Sequence, residues 1–201
     1  MSEGAVSVRE LGRAPAPRRL YTYDELVAEL PESNQPSELK DGELVMSPAP
    51  SPQHQEVSHR FHRLLEDWVL ARASGRVFGA PLDMVLSPHQ TTQPDILFVS
   101  NNRLDIIRKA VMGPADLVME VISLGGRNRD RIEKRDLYEQ YGVQEYWIID
   151  PEPKTVEVLF LERSRYELVT RAGPGQAAQS RLLPGFKVEV DPLFADLVGE
   201  P

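Results

Sequence analysis

The sequence contains no cysteine among its 201 residues. Disulfide frameworks, thiolate nucleophiles and cysteine-based zinc or iron–sulfur centres are therefore excluded. No stretch approaches the roughly 20 apolar residues that a membrane-spanning helix needs, and the N-terminal region has no continuous apolar segment of the kind that directs secretion. From these absences we expect a soluble cytoplasmic protein.

Three catalytic motifs are also missing: the GxSxG of serine hydrolases, the P-loop of nucleotide triphosphatases and the HExxH of zinc proteases. We therefore expect no nucleotide cofactor. Positive charge is scarce as well, since 23 Lys and Arg face 31 Asp and Glu, for a net charge of −8. Nucleic-acid affinity comes largely from neutralised phosphates, so this net charge argues against an overall polyanion-binding surface and leaves a local basic patch open.

The N-terminal part of the chain predicts a tail followed by short elements. Residues 1–20 mix prolines with arginines and show no apolar period, which predicts a flexible tail before a single domain over residues 21–201. Thr22 stands three residues before Glu25, the spacing of a capping box, so a short helix is expected to begin there. Asp41-Gly42 between two extended runs predicts a hairpin turn.

A long helix is expected over residues 52 to about 73, because apolar side chains recur there at the spacing of one buried face. These side chains are Val57, Phe61, Leu64, Leu65 and Trp68. Strand-like runs (RVFGAPLDMVLS, PDILFVS), a short helix (RLDIIRKAV), a strand, a helix and another strand follow, which predicts a mixed sheet with helices packed against it. Alternating segments after Thr155 predict an added antiparallel region.

One carboxylate occupies a position where an apolar residue is expected. In the run PADLVMEVIS, Glu120 has nearly all apolar neighbours, the pattern of a strand buried on both faces of a sheet. An isolated buried charge costs several kcal/mol or more even after relaxation. Glu120 must therefore be paired, neutralised or bound to a cation.

A second acid, Asp95, follows Pro94 at the start of the preceding central strand. If the two strands are neighbours, the carboxylates of Asp95 and Glu120 converge, and close like charges are tolerated chiefly when a divalent cation lies between them. Oxygen ligands favour Mg²⁺ or Mn²⁺. The alternative for Asp95 is a solvated aspartate at a strand end, because acids are usually exposed.

A lysine shares the apolar side of the helix that follows Glu120. Steps of three, four and seven residues from Lys134 reach Leu137, Tyr138 and Tyr141, so its side chain is predicted to face inward. A lysine there needs an anion, and the short loop before the helix brings Lys134 within reach of the strand. The alternative is a surface lysine whose aliphatic stem covers apolar surface while its ammonium reaches water.

An aspartate, a glutamate and a lysine around Mg²⁺ suit the cleavage of phosphodiesters. The metal would polarise the phosphate and lower the pKa of a bound water, while the lysine would orient that water or stabilise negative charge. The start of the same helix adds a local group of arginines, which suits either the positioning of substrate phosphates or pairing with acids on a wet helix face. These are Arg127, Arg129, Arg131 and Arg135.

The same residues resemble the signature of a known superfamily. Pro94-Asp95, then Glu120-Val121-Ile122, then Lys134 are similar to the PD-(D/E)XK pattern of restriction-endonuclease-like nucleases. A larger set of segments resembles the Uma-two family over roughly residues 20 to 195: DGELVMSP, His54, PLDMVLS, QPDILFVS, DLVMEVIS and EKRDLYEQYGVQEYWIID. The resemblance implies a restriction-endonuclease-like mixed sheet flanked by helices, and Mg²⁺-dependent cleavage of DNA.

In the general superfamily pattern the lysine lies two residues after the glutamate, where this sequence has Ile122. The family resemblance implies that Lys134 has taken over that role. Otherwise the site is defective, and the chain is a catalytically inactive nuclease fold that binds a partner or a nucleic acid. The net charge of −8 and Ile122 favour this second hypothesis.

The resemblance also implies auxiliary residues and a partner. Glu43 and His54 are implied to approach the metal, although a lone histidine on a buried helix face is more often a hydrogen-bonded core residue. Asp83 either approaches the metal or ends a strand in water. Because nucleases that cut both strands often pair, a homodimer is expected, with the strands after Thr155 as a candidate surface.

Overall fold

A computed structural model describes residues 19–29, 37–123 and 127–198, and gives only the backbone for residues 127–130. The predicted tail lies almost wholly outside the described residues, and the domain boundary at residue 21 stays a prediction. In the described ranges no helix is both long enough and apolar enough to cross a membrane.

The helices occur at both ends of the chain and on both sides of its central sheet. They are α1 Tyr23–Glu29, α2 Pro52–Arg72, the 3₁₀ helix Asn101–Ile106, α3 Arg127–Tyr141 and α4 Val190–Phe194. The strands are β1 Ser37–Lys40, β2 Glu43–Met46, β3 Gly75–Gly79, β4 Met84–Ser87, β5 Gln90–Thr92, β6 Ile96–Ser100, β7 Val111–Met112, β8 Leu117–Val121, β9 Glu145–Asp150, β10 Thr155–Glu162, β11 Arg165–Ala172, β12 Ala177–Gln179 and β13 Lys187–Glu189.

The centre of the fold is a six-stranded sheet in the order β11-β10-β9-β8-β6-β3. β8 and β9 run parallel, and α3 connects them as the crossover that a parallel pair requires. The remaining neighbours are antiparallel. The predicted mixed sheet flanked by helices, with an antiparallel extension toward the C-terminus, is confirmed.

Each face of this sheet has its own apolar core. The α2 face buries Val57, Phe61, Leu65 and Val69 against residues that include Trp147. These helix residues follow one another at intervals of four, so Leu64 falls beside the buried stripe and is 40% exposed. The prediction that Leu64 belongs to the stripe is wrong.

The opposite face packs against α3, where Tyr138 meets a second core cluster that includes Val118, Tyr146 and Ile148. Every residue of β8 and β9 is buried. Because side chains alternate along a strand, Glu120 shares the α3 face with Val118. This face holds the candidate site.

Two local predictions for the N-terminal part of the chain, a helix cap and a hairpin turn, are confirmed. The N–H of Thr22 donates to Glu25 at 2.7 Å, and the N–H of Glu25 donates to the Thr22 hydroxyl at 3.3 Å, so both halves of the capping box are made. Asp41 and Gly42 join β1 to β2 with φ of 51° and 83°, the left-handed conformation that such a hairpin turn needs.

Two segments differ from the sequence expectation. The run RVFGAPLDMVLS divides into β3 and β4, which belong to different sheets. Pro81 lies between them and cannot donate to a strand ladder. The segment RLDIIRKAV is helical only over residues 103–106, where it forms the end of a 3₁₀ helix, and Ile107 then pairs with Val111. Consecutive β-branched residues at positions 106 and 107 disfavour a longer helix.

Candidate active site

The strands that carry Asp95 and Glu120 are direct neighbours. β6 and β8 pair in antiparallel register, with Ile96 opposite Met119, so the start of β6 meets the end of β8. The backbone N–H of Val121 donates to Asp95 Oδ2 at 2.8 Å. This bond fixes the Asp95 carboxylate beside the residue that follows Glu120.

The carboxylate of Glu120 has two partners from α3. Its Oε1 atom accepts from Lys134 Nζ at 2.7 Å and from the Tyr138 hydroxyl at 2.5 Å. The two donors are four residues apart, so they lie one above the other on the same helix face. The Glu120 side chain is only 7% exposed, and that of Lys134 is 26% exposed. The structure thus brings Glu120 and Lys134 together as a largely buried ion pair.

His54 lies on the other side of Asp95. Ser51 caps α2 by accepting from the N–H of His54 at 3.2 Å, and the His54 ring then points Nε2 to within 2.9 Å of Asp95 Oδ1. Burial lowers the pKa of His54, but the hydrogen bond and charge of Asp95 and the charge of Glu120 outweigh it, and the pKa is raised overall. His54 is therefore a hydrogen-bonding partner that orients the Asp95 carboxylate.

Glu38 is a third buried carboxylate at this place, and the sequence analysis missed it. Its Oε1 atom accepts from the Thr92 hydroxyl at 2.7 Å and from the N–H of Gln93 at 3.1 Å, and lies 4.0 Å from Lys134 Nζ. The Thr92 hydroxyl is also 3.5 Å from the hydroxyl of Tyr138. A polar network therefore connects Glu38 to both donors of Glu120.

The charges of this network shift the pKa values of both members of the ion pair. Burial raises the pKa of Glu120 to about 7, and the charge of Asp95 acts in the same direction while Lys134 and Tyr138 oppose it. Burial lowers the pKa of Lys134, but Glu120, Glu38 and Asp95 together raise it above its ordinary value. Lys134 therefore keeps its proton throughout the neutral range, and Glu120 is the member that titrates.

Tyr138 is a fully buried donor to Glu120. Burial, followed by the charge of Glu120, raises the pKa of Tyr138 well above its ordinary value, so its hydroxyl keeps its proton. The ring meets Tyr146 edge to face, with centroids 5.0 Å apart. Packing and the hydrogen bond together hold Glu120 Oε1 in one position.

The Tyr138→Phe substitution is expected to destabilise the protein by about 1–3 kcal/mol, with the larger loss at alkaline pH. The hydrogen bond favours ionised Glu120, so its removal raises a folded pKa that already exceeds the unfolded value. The stability contributed by Glu120 is complete below pH 4.5 and is lost as the pH rises through about 7. In the variant this loss continues to higher pH. Urea denaturation at pH 5 and pH 8 measures the difference.

Tyr166→Phe is the matched control, because its hydroxyl donates to the neutral carbonyl of Val143 at 2.8 Å. The loss of stability caused by Tyr166→Phe is expected to be the same at both pH values. A Tyr138→Phe cost that is equally independent of pH would contradict the coupling to Glu120.

The remaining acidic candidates have the following positions. Asp83 accepts from the Tyr23 hydroxyl at 3.0 Å and from Gln93 Nε2 at 2.8 Å, which ties it to α1 and to the residue before Pro94. Glu43 begins β2, opposite Lys40 in the hairpin register.

The arginine candidates also differ in what the structure describes of them. Arg131 forms an ion pair with Glu157 of β10. The side chains of Arg127 and Arg129 lie outside the described residues. Across the described ranges, no three His, Asp or Glu side chains form a group with the geometry to hold a metal ion.

Comparisons with known proteins give the family of this chain and a solved structure with a similar fold. The model of the Uma2 family, described as "putative restriction endonuclease", matches residues 23–191. Among solved structures, the crystal structure of a "putative nuclease belonging to DUF820" from Anabaena variabilis ATCC 29413 is similar, with a TM-score of 0.70 and 22% sequence identity over 86% of this chain and 97% of that chain. That identity supports the shared fold alone. No curated protein matches the chain. Because the family match spans most of its length, this chain belongs to the Uma2 family of restriction-endonuclease-like proteins.

Proposed function

We propose that this protein is a divalent-metal-dependent endonuclease that hydrolyses phosphodiester bonds of DNA. The buried pair of Glu120 and Lys134, 2.7 Å apart and next to the carboxylate of Asp95, is the observation that carries the proposal. It supplies two acids and one cation at the adjoining ends of two neighbouring strands. Lys134 provides from α3 the positive charge that position 122 lacks.

The donor chemistry of this place fits a Mg²⁺ or Mn²⁺ ion. Glu38, Asp95 and Glu120 surround a single lysine, so a fully ionised site has an excess of buried negative charge. Mg²⁺ needs only one or two protein carboxylates, because it keeps several of its waters. Asp95 and Glu120 would hold it. When bound, the ion supplies Lewis acidity at the phosphate and a water of lowered pKa.

The residues of the chain would prepare the site in three ways. Tyr138 and Lys134 fix Glu120 Oε1, while His54 and the N–H of Val121 fix Asp95, so both acids are oriented before substrate arrives. Lys134 stays charged and would stabilise the negative charge that develops on the phosphate. Glu120 becomes a charged ligand as the pH rises through about 7.

Incubating supercoiled plasmid and single-stranded DNA with the protein tests the proposal. Nicking is expected with Mg²⁺ or Mn²⁺ and is expected to stop when a chelator is added. At a limiting metal concentration its rate is expected to rise as the pH rises through about 7, because ionised Glu120 would bind the metal more tightly than the neutral acid. Metal-independent nicking, or none under any of these conditions, would overturn the proposal.

A specific observation favours the second candidate, an inactive nuclease fold that binds a partner or a nucleic acid. Each oxygen of Asp95 already accepts a hydrogen bond from the protein, and Glu120 Oε1 accepts two. A site satisfied by its own side chains has less need of an ion. Isothermal titration with Mn²⁺ separates the two candidates, because an inactive fold of this kind is expected to release no binding heat.

We also propose a homodimer. β11 is the outermost strand on its side of the six-stranded sheet, and Val169 on that strand is 37% exposed. An outer strand offers unpaired backbone groups to a second copy related by two-fold symmetry. Sedimentation analysis of the wild type is expected to give twice the monomer mass. The Val169→Lys variant is expected to give a mass closer to that of the monomer. A wild-type protein that is monomeric at micromolar concentrations would contradict the dimer.

A further inference from the structure

A cavity of about 610 Å³ lies on the α3 face of the outer strands β9, β10 and β11. It adjoins the candidate active site. Ile148, which lines the cavity, is the register partner of Glu120 on the neighbouring strand. Arg131 and Arg135 of α3 also line it, and the interleaved positions Lys134 and Tyr138 reach Glu120. Helix α3 therefore contributes side chains both to the cavity and to the candidate active site.

The charged lining of the cavity is arranged around one acid. Glu157 forms an ion pair with Arg131 of α3 and, at 3.0 Å, with Arg171 of β11. It thereby cross-links two arginines that come from different elements. Because these guanidinium groups are already held in place, less side-chain entropy is lost when a ligand binds them.

One arginine of the lining is left over. Arg135 is exposed, and no carboxylate partner for it occurs among the described residues. Asp150 is the second acid of the cavity, and its charge acts on Arg131. The cavity lining thus contains three arginines and two acids, an excess of one positive charge in a protein whose net charge is −8.

The floor of the cavity is apolar and aromatic. Ile148, Leu159, Tyr166 and Leu168 line it, and Leu168 is 50% exposed. Guanidinium groups bind phosphate oxygens through paired N–H donors, and an apolar floor suits the faces of sugars and bases. An acidic peptide would satisfy the arginines but would leave this floor without a partner of matching shape.

We propose that this cavity binds a backbone phosphate of the DNA strand beside the bond that is cut. Arg135 and Arg171 contact the phosphate, and Arg131 stays with Glu157. This inference rests on the proposed nuclease function, because it assigns the cavity to the same substrate. It extends the proposed substrate-binding surface from Glu120 and Lys134 across the sheet to β11.

Fluorescence anisotropy with a short labelled DNA duplex, in chelator and at low salt, measures binding without cleavage. Arg135→Ala and Arg171→Ala are each expected to weaken binding about tenfold, the size of one charge-assisted hydrogen bond. Each is expected to reduce the slope of log affinity against log salt concentration by about 1. Arg165→Ala is the matched control: this exposed arginine also lies on β11, but pairs with Glu139 and does not line the cavity.

Equal losses in all three variants would overturn the proposal, as would unchanged binding by Arg135→Ala and Arg171→Ala or a wild-type protein that binds no duplex. Tighter binding of a labelled polyglutamate peptide than of the duplex would assign the cavity to an acidic peptide instead. Parallel plasmid cleavage by the wild type separates the two proposals. Cleavage by the wild type with normal duplex binding by the variants removes the cavity proposal alone. Selective loss of binding without any cleavage keeps the cavity as a DNA-binding site but removes the nuclease function, and with it the placement beside a bond that is cut.

Discussion

Glu120→Gln is expected to lower the rate of metal-dependent plasmid nicking by about 10²–10³-fold or more, the loss that follows removal of one preorganised electrostatic group. Glutamine has nearly the same shape and keeps an oxygen that accepts from Lys134 and Tyr138. It cannot supply the negative charge that would hold a divalent ion. The substitution therefore separates the catalytic use of Glu120 from its place in the hydrogen-bond network. Conversion of supercoiled to nicked plasmid measures the effect.

Asp116→Asn is a matched control for this experiment. Asp116 is a buried acid directly before β8, and it pairs with Arg103 at 2.8 Å and accepts from the N–H of Ser100 at 2.7 Å. Its neutralisation removes a partly buried ion pair from the opposite end of the same strand. The control is expected to lose stability and to keep its nicking rate per folded molecule. Nicking by Glu120→Gln at the wild-type rate would show that the proposed centre is wrong.

Sequence patterns predicted those parts of the fold whose conformation depends only on residues within the same turn or the same strand. The capping box of Thr22 and Glu25 and the turn at Asp41 and Gly42 need only residues a few positions apart. Glu120 stood out for a related reason, because its apolar neighbours showed that the strand is buried on both faces. A charge in such a strand requires a partner, and the sequence alone is enough to predict one.

Glu38 gave no such signal, although it is nearly as buried as Glu120. Its strand has four residues, and the sequence around it shows no apolar run. Its burial comes from the segment of Thr92 and Gln93, which donates to it from separations of 54 and 55 residues along the chain. Only the tertiary arrangement of the hairpin reveals it.

The same limit applies to the arginines of α3. Their sequence pattern left phosphate binding and surface ion pairs open as alternatives. Arg131 pairs with Glu157, a residue of β10 that lies over the helix only because the antiparallel extension folds back beside β9. Of the two α3 arginines whose side chains the structure describes, this pairing leaves Arg135 as the available cation, a distinction that spacing along one helix does not make.

Lys134→Met is expected to abolish nicking and to destabilise the protein in a pH-dependent manner. Without the lysine, ionised Glu120 is buried with no counter-ion, which costs about 3–5 kcal/mol. The pKa of Glu120, already raised to about 7, rises further, so the folded state prefers the neutral acid. Below pH 4.5 the acid is neutral in both states and this cost vanishes, and it grows as the pH rises through 7 and above.

Guanidinium denaturation at pH 5 and pH 8, together with plasmid nicking, measures both effects. Adding Glu120→Gln to Lys134→Met is expected to recover most of the stability lost at pH 8, because the uncompensated charge is removed, and to recover no nicking. Lys134→Arg keeps the charge and is expected to keep the stability while nicking falls, since a planar guanidinium does not reproduce the position of the ammonium. Equal destabilisation at both pH values would mean that Glu120 and Lys134 are not coupled, and nicking by Lys134→Met would show that the lysine on α3 does not replace the one missing at position 122.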